Sequence, residues 1–506
     1  MPAEAQRSCD ERMAALHSIS SLIAGTAVPA HDAAHRIPVI DPATEDTVGW
    51  LHEADAAEVD AAVRAARLAF DRGPWPRMNA SERGALMRRI HDTLLAHADE
   101  LTTLEVLHTG LPLASVRWQV QRAAHNFLMF AEVASTLAGQ SYSQHPGYLS
   151  TVTREPRGVA ALVAPWNAPL ALGSMRVATC IAFGNTCVLK PSEVTPLSMQ
   201  RMVQLLHEAG LPPGVVNLVN GRGHVTGAAL VGHPGIDMVA FTGGTATGRA
   251  IAAAAGRNLK PVILELGGKS ANIVFDSADF DAALDGSLLG IYANNGQMCL
   301  AGSRILVQRG LADRFIAAFV ERARRIRVGP PLDPATEMGP LAYRAHFERV
   351  LGYVDIARAE GAELLCGGAR VPGLARGCYL QPTAVRVPGN RLRVCQEEIF
   401  GPFATLQVFD TLDEALAIAN DSPFGLVSYV WSQNLTEVMR CSREVKAGVV
   451  WVNTPLMREL RSHFGGVKDS GFGGDGALAS PEFFTQAKTT IVPLGPVAMA
   501  RLGAGP

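Results

Sequence analysis

The sequence carries almost no excess charge of either sign. Its 45 Lys and Arg residues against 47 Asp and Glu residues leave a net charge of −2 at pH 7. A protein that binds nucleic acid through a basic surface would need a positive excess, and an acidic disordered chain would need a negative one. Neither class fits, and a hydrophobic content of 48% predicts a globular protein with a large buried core.

Long hydrophobic runs are also missing. No stretch reaches the ~18 uninterrupted apolar residues of a membrane-spanning helix. The first 25 residues lack the apolar segment of a secretion signal. The richest apolar run, residues 158–173, is interrupted by Pro165, Asn167 and Pro169. We therefore expect no membrane contact.

Cysteine is present, but not in patterns that bind metals or build a disulfide framework. The eight cysteines form no C-x-x-C pair, and no Cys/His cluster has zinc spacing, so the sequence predicts no metal site. A disulfide scaffold would be unusual in a chain of 506 residues. Reduced thiols and a cytoplasmic location are therefore expected.

Short apolar segments alternate with helical segments through most of the chain after Pro156. This alternation is typical of a parallel, doubly wound sheet, and it runs twice. The prediction is an α/β fold with two tandem Rossmann-like domains, which is compatible with ~150 residues per domain. Residues 1–138 and 158–267 form the first domain and residues 268–470 form the second.

Two extended segments, residues 139–157 and 484–496, lie outside both domains and predict a small β arm. Before the first of them, apolar residues recur at helical spacing in residues 54–98, with Asp60 and Ser81 as plausible N-caps. Residues 1–35 read as a weakly structured lead-in.

Glycine-rich turns give ambiguous signals for a phosphate site. Residues 267–270 (GGKS) resemble the end of a P-loop, but Ile263 stands where that motif needs glycine. No G-x-G-x-x-G follows a strand. Residues 241–248 (FTGGTATG) join a strand end to a helix start, where bare N–H groups attract phosphate. A simple turn is the alternative for this segment taken alone.

Four polar residues could carry chemistry. Cys299 lies among small and polar residues, a setting that suits a thiolate nucleophile. Glu265 ends an apolar strand and can serve as a base, and Asn167, between two prolines, can donate to an oxyanion. Glu398 can accept hydrogen bonds from sugar hydroxyls. Singly, each also fits a structural interpretation, such as a buried thiol, a turn asparagine or a solvated carboxylate.

Together, these motifs resemble the aldehyde dehydrogenase superfamily in identity, order and spacing, from about residue 38 to the C-terminal region. They are PWNAP (165–169), KPSE (190–193), FTGGTATG (241–248), ELGGKS (265–270), GQMC (296–299), EEIFGP (397–402), PFGL (423–426), WVN (451–453) and FGGVKDSGFG (464–473). The spacing of Glu265 and Cys299 is similar to that of the hydrolytic branch. The resemblance implies that Cys299 attacks the aldehyde, Asn167 holds the oxyanion, and Glu265 activates the water that releases a carboxylic acid.

The resemblance also implies NAD(P) as the cofactor. A carboxylate at Glu193 would accept bonds from ribose hydroxyls and repel a 2′-phosphate, which favours NAD over NADP. The implied cofactor contacts are Trp166, Lys190, Ser192, Glu193, Gly223, Phe241, Gly243, Gly244, Leu266, Gly267, Glu398 and Phe400.

Two arginine-containing segments resemble the branch of the family that oxidises hydroxymuconic-type semialdehydes. Arg458 and Arg461 precede Phe464 in LMRELRSHFGG, and Arg117 lies in LASVRWQVQRA. Because arginine binds carboxylates through two parallel hydrogen bonds, a carboxylate-bearing semialdehyde is the expected substrate. The implied substrate contacts are Arg117, Ala168, Leu172, Met175, Arg458, Arg461 and Phe464. Solvated arginines, with a neutral aromatic, aliphatic or amino-aldehyde as substrate, are the alternative.

Four positions depart from the family pattern. Gly244 stands where many relatives have serine, and His463 stands where proline is usual. Gly474 and Asp475 replace a common Arg-Glu pair, which leaves open whether a carboxylate supports the base.

Two other functions compete with this interpretation. A CoA-acylating relative would pass the acyl group to CoA, but such relatives generally lack a base at the position of Glu265. A catalytically inactive structural relative would not need Cys299, Glu265 and Asn167. The expected partners are the aldehyde and further copies of the chain, as a homodimer or homotetramer assembled through the β arm.

Overall fold

The computed structural model describes residues 18–29 and 36–503. The helices are α1 (Ala56–Asp71), α2 (Ala80–Ala96), α3 (Ala98–Thr109), α4 (Leu113–Ser135), α5 (Pro169–Ala182), α6 (Leu197–Glu208), α7 (Ala228–Gly232), α8 (Thr245–Arg257), α9 (Phe280–Tyr292), α10 (Arg309–Arg325), α11 (Arg344–Ala359), α12 (Arg393–Gln396), α13 (Leu412–Asn420), α14 (Leu435–Glu444) and α15 (Ala479–Phe484). Single helical turns occur at Trp75–Arg77, Gly223–Gly227 and Ala293–Gly296. Among the helices of the described ranges, none combines the length and apolar character needed to cross a bilayer.

The strands follow in chain order. They are β1 (Ser18–Ile19), β2 (Leu22–Ile23), β3 (Thr26–Ala27), β4 (Arg36–Ile40), β5 (Thr47–His52), β6 (Gln140–Tyr142), β7 (Tyr148–Pro156), β8 (Val159–Val163), β9 (Thr186–Lys190), β10 (Val216–Leu218), β11 (Met238–Thr242), β12 (Val262–Glu265), β13 (Ala271–Val274), β14 (Arg304–Gln308), β15 (Glu363–Cys366), β16 (Thr383–Arg386), β17 (Phe403–Phe409), β18 (Phe424–Gly425), β19 (Val427–Trp431), β20 (Val449–Val452), β21 (Val467–Lys468), β22 (Gly471–Phe472) and β23 (Thr485–Pro493).

The first large sheet has the strand order β22-β12-β11-β8-β9-β10-β2-β3. Its five central strands, from β12 to β10, are parallel. The sequences of these strands are almost entirely apolar, because apolar clusters cover both faces of the sheet. The chain order reverses between β8 and β11. In doubly wound sheets the ligand binds beyond the carboxyl ends of the strands at such a reversal, here after Val163 and Thr242.

The second large sheet has the order β15-β16-β17-β14-β13-β19-β20. Its strands are parallel except for β15, which forms an antiparallel edge. A short segment through Gly267 and Gly268 joins β12 of the first sheet to β13 of the second. The α/β fold with two Rossmann-like sheets is therefore confirmed, while the exact domain boundaries stay a prediction.

A third sheet is built from β23, β7 and β6 and carries the predicted β arm. Strands β7 and β23 pair antiparallel over nine positions, from Thr485 opposite Pro156 to Pro493 opposite Tyr148. Most residues of β23 are exposed, including Ile491 and Val492. The prediction that the last strand pairs outside the second sheet is confirmed.

The structure corrects three local predictions. The N-caps of α1 and α2 are Asp55 and Asn79, which accept hydrogen bonds from the first turns, and not Asp60 and Ser81. Residues 18–29 are not weakly structured, since β1 pairs with β5 and β2 pairs with β10. The remainder of the predicted lead-in, residues 1–17 and 30–35, lies outside the described residues.

The cap of α2 gives a direct test of this correction. The Asn79 side chain accepts from the Glu82 backbone N–H at 3.0 Å, and Glu82 accepts from the Asn79 backbone N–H at 2.8 Å. Asn79→Ala should remove this capping box and cost about 1 kcal/mol of stability. Ser81→Ala is the matched control and should be close to neutral, because Ser81 lies inside the first turn. Thermal unfolding of both variants checks the assignment, and a larger loss in Ser81→Ala would contradict it.

Candidate active site

Cys299 follows a tight turn in which the backbone is strained. Asn294, Asn295 and Gly296 all have positive φ, at 54°, 58° and 72°. Of the seven cysteines in the described ranges, six are buried and Cys299 alone is partly exposed. A Cβ on Gly268 would overlap with the Cys299 carbonyl oxygen, so glycine at 268 lets the cysteine loop pack directly on the segment that follows Glu265.

Asn167 lies in the loop that leaves β8. It is buried, and its Nδ2 donates to the Gln297 carbonyl at 2.8 Å, two residues before Cys299. An amide nitrogen carries two hydrogens, so the hydrogen bond to Gln297 leaves the second N–H of Asn167 uncommitted. The geometry therefore places the predicted oxyanion donor against the turn that leads to the predicted nucleophile.

Glu265 ends β12 and is buried. Burial and the nearby negative charge of Asp475 raise its pKa to about 8, against the opposing effect of Arg176 and Arg458. Its Oε1 finds no hydrogen-bond partner within the part of the chain that the structure describes. A buried carboxyl group with a near-neutral pKa and a free oxygen is suited to accept a proton.

The thiol of Cys299 has a high pKa in this arrangement. Burial, followed by the charges of Glu398 and Glu265, raises the pKa to about 12. The thiol is therefore protonated near neutral pH, and a base must take its proton before it can act as a nucleophile.

Asp475 supplies the carboxylate that the sequence left in doubt. It is buried and forms an ion pair with Arg176, whose guanidinium also donates to the Thr242 hydroxyl at 3.4 Å. The adjoining Gly474 has φ +155°, and a Cβ there would overlap with the His463 ring. The two unusual residues His463 and Gly474 are therefore sterically matched to each other.

The Glu398 carboxylate packs against the backbone of Gly267 and Gly268. The Gly268 backbone N–H donates to its Oε1 at 3.0 Å, and a Cβ on Gly267 would overlap with its Oε2. Burial raises the pKa of Glu398 to about 7, against the lowering effects of the Gly268 N–H and Lys269.

The predicted cofactor residues surround the carboxyl edge of the first sheet. Trp166 packs edge-on against Phe400, with ring centroids 5.2 Å apart, and buried Lys190 lies 3.5 Å from the Glu193 carboxylate. Glycines 243 and 244 precede α8, and a Cβ on Gly244 would meet open space. The other predicted contacts are partly exposed Ser192, exposed Gly223, and buried Phe241 and Leu266. Carboxylates for ribose hydroxyls and an open helix N-terminus for a pyrophosphate fit a dinucleotide.

The predicted substrate residues divide into an inner and an outer group. Half-buried Arg458 stacks on Phe464, with its guanidinium carbon 3.9 Å from the ring centroid. Burial lowers the pKa of Arg458, and Asp475 and Glu265 oppose that effect. Arg461 points outward, with 72% of its side chain exposed and a 2.8 Å ion pair to Glu459. The rest are exposed Arg117, partly buried Ala168 and Leu172, and buried Met175.

Sequence reasoning missed Arg122. This residue lies on α4, with its guanidinium carbon 5.6 Å from the Trp118 ring centroid and no hydrogen-bond partner for its Nε among the described residues. Burial and the positive charge of Arg458 lower its pKa to about 10. The available signal was its spacing of one helical turn from Trp118, which places both on one face of α4.

Comparison with known proteins decides the family. The sequence profile described as the aldehyde dehydrogenase family matches residues 28–490. The chain belongs to the aldehyde dehydrogenase family. It is 44% identical to the 5-carboxymethyl-2-hydroxymuconate semialdehyde dehydrogenase of Escherichia coli, covering 85% of this chain and 92% of that one. It is 40% identical to a betaine aldehyde dehydrogenase of Cereibacter sphaeroides, covering 91% and 94%.

Solved structures agree with this assignment. HpcC from Thermus thermophilus superposes with a TM-score of 0.95 at 41% identity, over 98% of both chains. The betaine aldehyde dehydrogenase of Staphylococcus aureus in complex with NAD+ gives 0.93 at 35% identity, over 96% of this chain and 97% of that one. This aldehyde dehydrogenase oxidises an aldehyde and uses NAD, as the sequence predicted.

The carboxyl group of Glu265 gives a pH test. If its ionised form takes protons in the slow step, kcat should rise with pH through about 8, the pKa of Glu265. Asp475→Asn removes a negative charge that raises this pKa, so the rising limb should move to lower pH. Asp475→Glu keeps the charge and serves as the control, with its limb near the original position. If kcat of Asp475→Asn still rises at the original pH, the group that controls the pH profile is not Glu265.

Proposed function

We propose that this enzyme oxidises an aldehyde that carries a carboxylate, with Cys299 as nucleophile, Glu265 as base and Asn167 as oxyanion donor. The observation that carries the substrate class is the pair of half-buried guanidinium groups, Arg122 and Arg458, next to the catalytic carboxyl groups. The relatives named for hydroxymuconic semialdehydes support it, and they point to an unsaturated diacid semialdehyde.

The first half of the reaction forms a thioester on Cys299. Glu265 accepts the thiol proton, and the thiolate attacks the aldehyde carbon. The second N–H of Asn167 and the Cys299 backbone N–H hold the resulting oxyanion. Bound NAD would supply the hydride acceptor for the former aldehyde carbon, and loss of that hydride would leave the acyl group on the Cys299 sulfur.

The second half hydrolyses the thioester. Once the thiol proton has passed from Glu265 to solvent, Glu265 removes a proton from water, the hydroxide adds to the acyl carbon, and the sulfur leaves as a thiolate as the acid forms. A pKa of about 8 lets Glu265 accept a proton from water and return it to solvent within one cycle. Burial keeps the pKa of Glu265 high, and the negative charge of Asp475 adds to this effect.

The cofactor is held by the residues that fit it. Glu398 would accept hydrogen bonds from the hydroxyls of one ribose and Glu193 from those of the other, and Trp166 and Phe400 would flank the cofactor. The open backbone at Gly244, which follows Gly243 at the start of α8, would admit the pyrophosphate. The negative charge of Glu193 would repel the 2′-phosphate of NADP and therefore favours NAD.

Arg458 and Arg122 bind the substrate carboxylate, and Arg461 and Arg117 attract it from the outer rim. The side chains of Ala168, Leu172, Met175 and Phe464 line the passage between them.

Two adjacent cationic groups would repel betaine aldehyde, which is itself a cation, so these arginines argue against the function of the betaine-oxidising relatives. The base at Glu265 argues against acyl transfer to CoA.

Assembly and location belong to the same proposal. The exposed strands β7 and β23, with apolar Leu149, Ile491 and Val492 at the surface, are the contact surface of a homodimer or homotetramer. A cytoplasmic location is consistent with the free thiols.

The catalytic roles predict separable defects. Cys299→Ala should abolish NADH formation, because no thioester can form. Glu265→Gln should slow the first-turnover burst of NADH and lower steady-state turnover further, because Glu265 takes a proton in both halves of the reaction. Asn167→Ala should lower kcat on the order of 10²–10³-fold, as for a lost oxyanion donor. Stopped-flow and steady-state NADH assays, with and without CoA, measure these effects. Appreciable turnover by Cys299→Ala would exclude this mechanism.

The arginine roles predict a change in specificity. Arg458→Met keeps a flexible apolar side chain against Phe464 and removes the charge. It should lower kcat/KM for a carboxylate-bearing aldehyde roughly 10- to 150-fold, the equivalent of a charge-assisted hydrogen bond worth ~1.5–3 kcal/mol. Arg122→Met should act in the same direction, and Arg461→Ala should have a smaller effect from the outer rim. A neutral aldehyde of the same length is the control. Equal losses on both aldehydes would limit Arg458 to structural support.

A further inference from the structure

Two consecutive asparagines form the strained turn before Cys299. The backbones of Asn294 and Asn295 both adopt the left-handed conformation, which two consecutive residues other than glycine rarely do. Each is held there by its own side-chain amide, but the two amides bind different parts of the molecule. This difference separates a role in catalysis from a role in folding.

Asn294 contacts the oxyanion donor. Its Nδ2 donates to the Asn167 backbone carbonyl at 2.9 Å and to the Gln297 carbonyl at 3.1 Å. The Gln297 carbonyl also accepts the 2.8 Å hydrogen bond from Asn167 Nδ2. Asn294 therefore fixes both the backbone of Asn167 and the carbonyl that orients its amide.

Gln119 fixes the orientation of the Asn294 amide. Its Nε2 donates to Asn294 Oδ1 at 2.8 Å, so the nitrogen of Asn294 must face Asn167. Both side chains are buried. Gln119 lies on α4 one turn before Arg122, so this chain of hydrogen bonds begins on the helix that carries a proposed substrate arginine.

We infer that Asn294, oriented by Gln119, is a positioning residue that directs the free N–H of Asn167 at the substrate oxyanion. The inference rests on the proposed role of Asn167. A planar amide with one N–H committed to Gln297 has a fixed direction for its second N–H, so the position of the Gln297 carbonyl sets the aim of the donor. A displacement of ~1 Å at such a site can cost on the order of 10²-fold in rate.

Asn295 provides a matched control. Its Nδ2 donates to the carbonyls of Gly110 and Pro340 at 3.1 and 2.8 Å, and its Oδ1 accepts from the Gly339 N–H at 2.7 Å. Glycine adopts the left-handed conformation readily, so Asn294→Gly and Asn295→Gly remove the amides without forcing the turn open. Both variants should unfold at a lower temperature, because each loses buried hydrogen bonds.

Only Asn294→Gly should lose catalysis. We expect kcat to fall roughly 10- to 100-fold, with KM for NAD and the rate of Cys299 alkylation by iodoacetamide unchanged, because alkylation needs no oxyanion donor. Asn294→Asp keeps the acceptor for Gln119 but loses both donors, and it should fail to restore kcat. Equal losses of kcat in the two glycine variants, or an alkylation rate that falls with kcat, would overturn the inference.

A double-mutant cycle tests the part played by Gln119. Gln119→Met should lower kcat by less than Asn294→Gly, and the double variant should be no slower than Asn294→Gly alone, because Gln119 acts through Asn294. Additive losses would overturn that link. Full activity of Asn167→Ala would instead refute the proposed oxyanion donor, so the two failures are distinguishable.

Discussion

The two glycines that join the sheets leave no space for a side chain, and the active site is built against them. The Cys299 carbonyl packs on Gly268, and the Glu398 carboxylate packs on Gly267. Glu265 ends the strand immediately before this segment. The loop of the proposed nucleophile, the proposed base and a proposed cofactor ligand therefore meet at one backbone segment, and any Cβ there would push at least one of them away.

Around this segment the protein buries charges of both signs in close proximity. Glu265 and Asp475 are balanced by Arg176 and Arg458, and Arg122 adds a further positive charge. Several of their polar atoms have no partner in the described part of the chain, including one oxygen each on Glu265 and Asp475. A cluster left partly unsatisfied is costly for stability, yet it is what keeps the pKa of a carboxyl group near neutrality.

The sequence predicted the fold class and the main candidate residues because ordered motifs carry both. It predicted the helix starts less well, since apolar periodicity defines the buried face of α2 but not whether Asn79 or Ser81 caps it. Arg122 was missed because an arginine on an amphipathic helix has the same pattern whether it faces solvent or a pocket. The role of Asn294 depends on a backbone conformation and on partners from two distant segments, at Gln119 and Asn167, which no local pattern encodes.

Strand β22 at residues 471–472 completes the first sheet by pairing with β12, the strand that ends in Glu265. Strand β23 then closes the third sheet against β7, more than half the chain away in sequence. During synthesis from the N-terminus, β12 therefore remains an open sheet edge until nearly the whole polypeptide has emerged. Open edges readily pair with other chains. The proposed base Glu265 thus lies at the end of a strand whose edge stays open in the nascent protein, and the candidate active site is completed among the last steps of biogenesis.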